Sequence, residues 1–241
     1  MDRGYIKKKH VKVLALLSIL LLILSIYVHS TENFAVYRGL RGAICFSFLT
    51  VLFFYRKKKV NVIVIAFLLL YGISSFVTIW YENSLWAIIS MALNVIAFLV
   101  LIRALWPKIS FKKMTALFAI FSGLLLLVNV YLLYIFVEMM RGFTSGNLHY
   151  VFIMIGSMSL VVTGFFSLLY NHKFSSRASL IFTLFVVALV FAEVFRAIGY
   201  YDFAYGNFSV YIARALLLLG CALLAHYELM DKKPTEVLGK K

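Results

Sequence analysis

Acidic side chains are scarce in this chain, nine among 241 residues against 24 lysines and arginines. Proline is scarcer, with two in all, and neither falls inside an apolar run. The apolar runs can therefore be unbroken helices, which argues against the interrupted half-helices that many transporters build around a substrate. The two cysteines, Cys45 and Cys221, fall in mid-run, so a disulfide-framed secreted fold is excluded and two buried, inert thiols are expected. Zinc-ligand spacing, a Gly-rich phosphate loop and a nucleophile elbow are all missing, so neither metal nor cofactor is expected. A hydrophilic stretch long enough for a second domain is missing too.

What remains is apolar. Hydrophobic residues make up 64% of the chain and charged ones 14%. A soluble domain of this length cannot hide that much apolar surface, and a bilayer removes the need. Eight runs approach the roughly 20 residues that cross a hydrocarbon core of about 30 Å. They cover approximately 11–28, 36–55, 60–80, 84–106, 114–140, 148–171, 177–199 and 208–230. Without an alternating barrel pattern, backbone groups in lipid must be satisfied within helices. The expectation is an all-α polytopic transmembrane bundle of about eight helices, one integral membrane domain over 1–241. Short gaps make consecutive helices antiparallel neighbours. The first run follows Lys7, Lys8 and Lys9 but lacks a small-residue cleavage site, so it reads as an uncleaved helix and not a signal peptide.

The charges are sorted by gap. Nineteen bases and four acids (Asp2, Glu228, Asp231, Glu236) occupy the termini and alternate gaps, and together they carry the whole net charge of +15. The other gaps and flanking turns hold Arg38, Arg41, Arg141, Arg196 and Arg214 against Glu32, Glu82, Glu138, Glu193 and Asp202, a neutral set. The positive-inside rule then places both termini in the cytoplasm of a cell whose inner membrane holds the protein. Clusters that flank apolar runs do not form a nucleic-acid face, and no nucleic-acid partner is expected. Trp80, Tyr81, Trp86, Tyr200, Tyr201 and Tyr205 read as an outer aromatic belt, with Tyr55 and Trp106 at the inner interface. The tail after Met230 reads as a short basic stub.

Some ionisable groups fall inside spans, where they are costly and mark function by default. Arg41, Glu193 and Arg214 each lie five or six residues inside the outer end of a run, about 8–9 Å deep at 1.5 Å per residue. Arg38 is one turn above Arg41, and Arg196 is at i+3 from Glu193. Tyr71, Ser74, Ser75, Thr78, Ser157 and Ser159 add polar groups at similar depth. Asn94 and Asn129 lie near mid-membrane, and Ser159, Thr163 and Ser167 form a stripe spaced by four. Two arrangements fit: Glu193 paired with Arg214 or Arg41 as interhelical glue, or a polar outer-half pocket in which arginines hold an anionic headgroup. Glu138 with Arg141 reads as a solvated pair. Gly39, Ala43 and Ser47 read as a close-packing face, and His10, His29, His149, His172 and His226 as scattered interfacial residues.

Eight short-looped helices with a polar outer layer that includes the seventh resemble the lysoplasmalogenase family. Phe191-Ala192-Glu193-Val194-Phe195-Arg196-Ala197-Ile198 is similar to the family's acid-containing seventh helix, with Glu193 at the acidic position. Tyr37-Arg38-Gly39-Leu40 is similar to the basic segment opening its second helix, with glycine where proline is usual. Asp202-Phe203 and the region of Tyr211 fit its spacing loosely. The third run departs from the pattern, since Tyr71-Gly72-Ile73-Ser74-Ser75 carries hydroxyls where the family has an acid; in the fourth, Asn94 is the polar residue near an expected histidine. The resemblance implies a membrane protein that binds a lysophospholipid and, in an active version, hydrolyses it. Glu193 would then be the catalytic acid, with Arg38, Arg41, Arg196, Arg214, Ser74, Ser75, Asn94 and Asn129 binding substrate. Membrane lipids are the expected partners, and no protein partner can be named. The alternative is a non-catalytic bundle, a sensor or assembly partner, whose buried charges are structural.

Overall fold

The computed structural model describes residues 3–56, 60–109, 115–144, 146–200 and 206–239. Lys57 to Lys59, Lys112, Lys113, Tyr201, Asp202, Phe203, Tyr205, Lys240 and Lys241 lie outside the described residues, as do Asp2 and the side chains of Arg3 and Lys7 to Lys9. Eight long α-helices account for most of the rest: α1 Arg3–Ser30, α2 Phe34–Arg56, α3 Val62–Val77, α4 Ser84–Leu105, α5 Ala116–Met139, α6 Asn147–Phe174, α7 Arg177–Tyr200 and α8 Gly206–Leu229. Each belongs to a segment long and apolar enough to cross a membrane, which makes this a multi-pass membrane protein by length and composition. Short 3₁₀ turns extend α3 through Thr78–Trp80 and α4 through Trp106–Lys108.

Local chemistry sets several of the ends. The side chains of Asn61, Asn83 and Thr115 accept from the Ile63, Leu85 and Phe118 amides, satisfying donors that the first turns of α3, α4 and α5 leave open. Gly146, ahead of α6, has φ 145°, a backbone that a side chain would strain.

Six helices form a closed ring in which α2 packs on α3, α3 on α4, α4 on α6, α6 on α7, α7 on α8, and α8 back on α2. Helix α1 lies outside the ring against α8 and α2, and α5 lies outside against α6. This corrects the expectation that every consecutive pair would be neighbours, because α4 packs along α6 and α5 flanks it. Within α5 only Ser122 and Val137 are buried, and Leu117, Ile120, Phe121, Leu124 and Leu127 face outward. In lipid such a surface carries no penalty, so its apolar sequence does not require it to enter the ring.

The main core runs through the ring, with Phe48, Phe67, Phe182, Phe185, Leu101 and Leu224 fully or almost fully enclosed. A smaller cluster at the end away from the termini joins Val137 and Met140 to Tyr81, Met91 and Ile153. Cys45 and Cys221 are buried free thiols, as expected. The tightest approach on α2 is not along the expected face of Gly39, Ala43 and Ser47 but at Gly42, where a Cβ would come within 2.5 Å of the Phe76 ring; Gly39 meets Ile79 less tightly. Ser159, Thr163 and Ser167 bond back to carbonyls of α6, and Thr183 Oγ1 donates across from α7 to the Ser167 carbonyl at 2.8 Å.

The tail is not a loose stub. Pro234–Glu236 forms a 3₁₀ turn, and Leu238 is buried in the main core. The hydroxyls of Tyr170 and Tyr227 donate to the Glu236 carbonyl at 2.8 and 3.1 Å. Lys108 Nζ donates to the Thr235 carbonyl at 2.8 Å, and Asn61 Nδ2 to that of Leu238 at 3.0 Å. Four helices are thus tied to the tail at the end where the termini lie. Deleting residues 234–241 should destabilise the bundle by about 3 kcal/mol, from one buried leucine and the stranded buried hydroxyls. Melting in detergent, compared with full-length protein, measures this.

Candidate functional site

At the end of the ring away from the termini, a cavity of about 580 Å³ opens among α1, α2, α7, α8 and the turns beside them. Arg38 and Arg41 of α2, Arg196 of α7 and Arg214 of α8 border it. Between them the wall is largely apolar or aromatic, including Phe34, Tyr37, Phe143, Tyr200, Val210 and Leu217. A volume of this size is typical of small-ligand sites.

Helical spacing explains the convergence. Arg38 and Arg41, at i and i+3, share one face of α2, and Glu193 and Arg196 do the same on α7. Glu193 is the hub. Its Oε1 accepts from Arg41 Nη2 and from the Tyr71 hydroxyl, which itself accepts from Arg41. Its Oε2 accepts from Arg196 Nε at 2.9 Å and Nη2 at 2.6 Å. Helices α2, α3 and α7 are thereby joined through one carboxylate, nearly buried with its Arg41 partner. Both oxygens engaged by charged donors is what a buried carboxylate needs to remain ionised.

Arg214 is held differently. It does not pair with Glu193. Its guanidinium carbon sits 4.1 Å from the centre of the Tyr37 ring, and Nη2 donates to the Tyr37 carbonyl at 2.8 Å. Nε reaches the Tyr37 hydroxyl at 3.4 Å, and that hydroxyl donates to the Val210 carbonyl at 3.3 Å. Arg214 is 4% exposed, and among the described residues its Nη1 has no hydrogen-bond partner. Nor does any described carboxylate form a salt bridge with it.

At the rim, Arg38 pairs with Glu82 and lies 5.4 Å from the centre of the Tyr200 ring. Glu82 is in the turn beyond α3. Partial burial would raise its carboxyl, but the bond to Arg38 outweighs that and holds it below the usual carboxylate range.

The other candidates separate from this group. Ser74 donates to the Ser90 carbonyl of α4 at 2.9 Å, and Ser75 donates back to the Tyr71 carbonyl of its own helix at 2.8 Å; both are absent from the cavity wall. Asn94 lines a smaller chamber of about 80 Å³ on the far side of Glu193 and Arg196, and its Oδ1 is buried without a partner among the described residues. Asn129 is exposed on peripheral α5 and donates back to the Leu125 carbonyl, so it cannot serve a site inside the ring. Glu138 and Arg141 do form a surface pair, at 3.0 Å, joined by the Tyr150 hydroxyl.

Two groups of residues take roles that their sequence positions did not suggest. Tyr37 anchors Arg214, where belt logic gave it no role, and Tyr200 turns from the belt into the wall. Several histidines are not scattered singly: His149 is buried against Tyr81 at 2.9 Å, His10 pairs with His226 at 3.1 Å, and His29 bonds Tyr211 at 3.0 Å at the cavity's edge. Partners 68 to 216 residues apart leave no local signal in the sequence. Comparison with models of protein families, with curated proteins and with solved structures gives no match to this chain.

Proposed function

We propose that this protein lies in the cell's inner membrane with both termini in the cytoplasm and binds a phosphate-bearing lysolipid in the outer-half cavity. The carrying observation is the cavity itself, about 580 Å³ bordered by four arginines with apolar and aromatic surface between them. Guanidinium forks suit phosphate oxygens, and the apolar wall suits the glyceryl and acyl carbons that follow a headgroup. The sorted charges favour the orientation, because the basic end belongs in the cytoplasm and the cavity is at the other end. The resemblance to lysoplasmalogenases points to the same ligand class.

In this reading Glu193 is a clamp that positions Arg41 and Arg196. Carrying a proton would displace a charged donor whichever oxygen held it, so Glu193 is given a binding role and no catalytic one. The alternative, a bundle whose buried charges only lock helices together, accounts for Arg41, Glu193 and Arg196. It accounts for the bond of Arg214 to Tyr37 across α8 and α2, but not for a buried guanidinium with no carboxylate partner among the described residues.

The test uses purified full-length protein in neutral detergent. A single-chain lysophospholipid should raise the melting temperature by several degrees at saturation, as a ligand specific to the native state does. A monoacylglycerol of the same chain, which lacks the phosphate, should not. Equal shifts from both, or none from either, would overturn the reading.

A further inference from the structure

The charge around the cavity bears on which headgroup it takes. Four guanidiniums border it, and two described carboxylates are bonded to them: Glu193, shared by Arg41 and Arg196, and Glu82 on Arg38. Two positive charges are therefore uncompensated among the described residues. Glu82 is 67% exposed at the rim, where water weakens its pairing, so the inner wall is more positive than the count suggests. Arg214 is central to this imbalance: it is buried, within electrostatic range of Arg41, and its Nη1 is bonded to no described group.

We infer that the cavity selects a phosphate monoester headgroup, carrying close to two negative charges, over the singly charged phosphodiester of common lysophospholipids. This rests on the lipid-binding reading above. Near neutral pH a monoester carries a charge of about −1.5 to −2 and offers three strong acceptor oxygens. A diester carries a single charge and offers only two non-bridging oxygens. The monoester matches the uncompensated charge, and its third oxygen offers one more acceptor to the guanidiniums that border the cavity.

A choline or ethanolamine headgroup fits poorly. It would add a cation to a wall that already has an excess of them. Two rings of the wall suited to cradling it, Tyr37 and Tyr200, already lie 4.1 and 5.4 Å from guanidiniums.

The experiment measures affinities of the full-length protein in neutral detergent for four probes. Three share one acyl chain: lysophosphatidic acid, lysophosphatidylglycerol and lysophosphatidylcholine. The fourth, glycerol 3-phosphate, has the monoester without the chain. Lysophosphatidic acid should bind at least about tenfold more tightly than either diester, and Arg214→Gln should reduce that ratio to about threefold or less. Should Arg214→Gln fail to fold, Glu82→Gln removes a rim carboxylate instead and should strengthen monoester binding by about threefold.

Equal affinities for the three lysolipids would overturn the monoester inference and leave lysolipid binding standing. Failure of all three to bind would overturn the lysolipid reading itself. Glycerol 3-phosphate binding as tightly as lysophosphatidic acid would support the monoester and move its source from a lipid to a soluble phosphoester. A monoester preference unchanged in Arg214→Gln, or weakened in Glu82→Gln, would count against the assignment of that preference to this wall.

Discussion

Glu193→Gln should be among the most destabilising single changes in this protein, at about 3–5 kcal/mol. The substitution keeps the size and one acceptor but removes the charge that Arg41 and Arg196 share. Arg41 is 7% exposed, so it would remain as a largely buried cation without its charged partner. The Tyr71 hydroxyl would lose its ionised acceptor at the same time. The loss is specific to the pairing. Combining Glu193→Gln with Arg41→Met should cost less than the two separate losses added together, with a coupling of about 1–3 kcal/mol. Chemical or thermal unfolding of the four proteins of that cycle measures it. Additive losses would mean that Arg41 and Glu193 do not depend on each other.

How much of this was legible before the structure depends on the kind of information involved. Run boundaries were legible because hydropathy is a one-dimensional property. The run at 36–55 became Phe34–Arg56 and that at 84–106 became Ser84–Leu105. Depth was legible for the same reason, and counting residues from the ends brought Arg41, Glu193 and Arg214 to one level. Rotation and lateral order were not. Counting could not show that Arg41 turns to Glu193 while Arg214 turns to Tyr37. Nor could it show that α5 stands outside the ring, which removes Asn129 from the site although its depth had made it a candidate. Tyr37 entered the sequence reading only as the start of the Tyr37-Arg38-Gly39-Leu40 segment, because a ring beneath a guanidinium is visible only in three dimensions. The tail was misread because its few apolar residues are too short a stretch to register as hydropathy, yet Leu238 is 2% exposed.

Arg214 should respond in the opposite sense to Glu193. A buried guanidinium with no carboxylate partner among the described residues lowers the stability of the unliganded protein, and residues held for binding commonly do so. Arg214→Met keeps much of the apolar length of the side chain, removes the charge and leaves Leu217, Val210 and Ala213 to pack around it. Some of the guanidinium's contribution is lost as well, since its stacking on Tyr37 and its bond to the Tyr37 carbonyl go with it. The expected balance is a melting temperature equal to or above that of the wild type. A purely structural arginine would give a clear loss.

The same protein tests the central claim, that this end of the ring is an anion site bordered by arginines of which one has no carboxylate partner among the described residues. The measurement is the melting temperature of Arg214→Met beside the wild type, each with and without saturating lysophosphatidic acid. The account predicts that the unliganded variant melts no lower than the wild type and that the ligand-induced rise is abolished in it. A variant that melts several degrees lower on its own, or one that keeps the full ligand-induced rise, would contradict it.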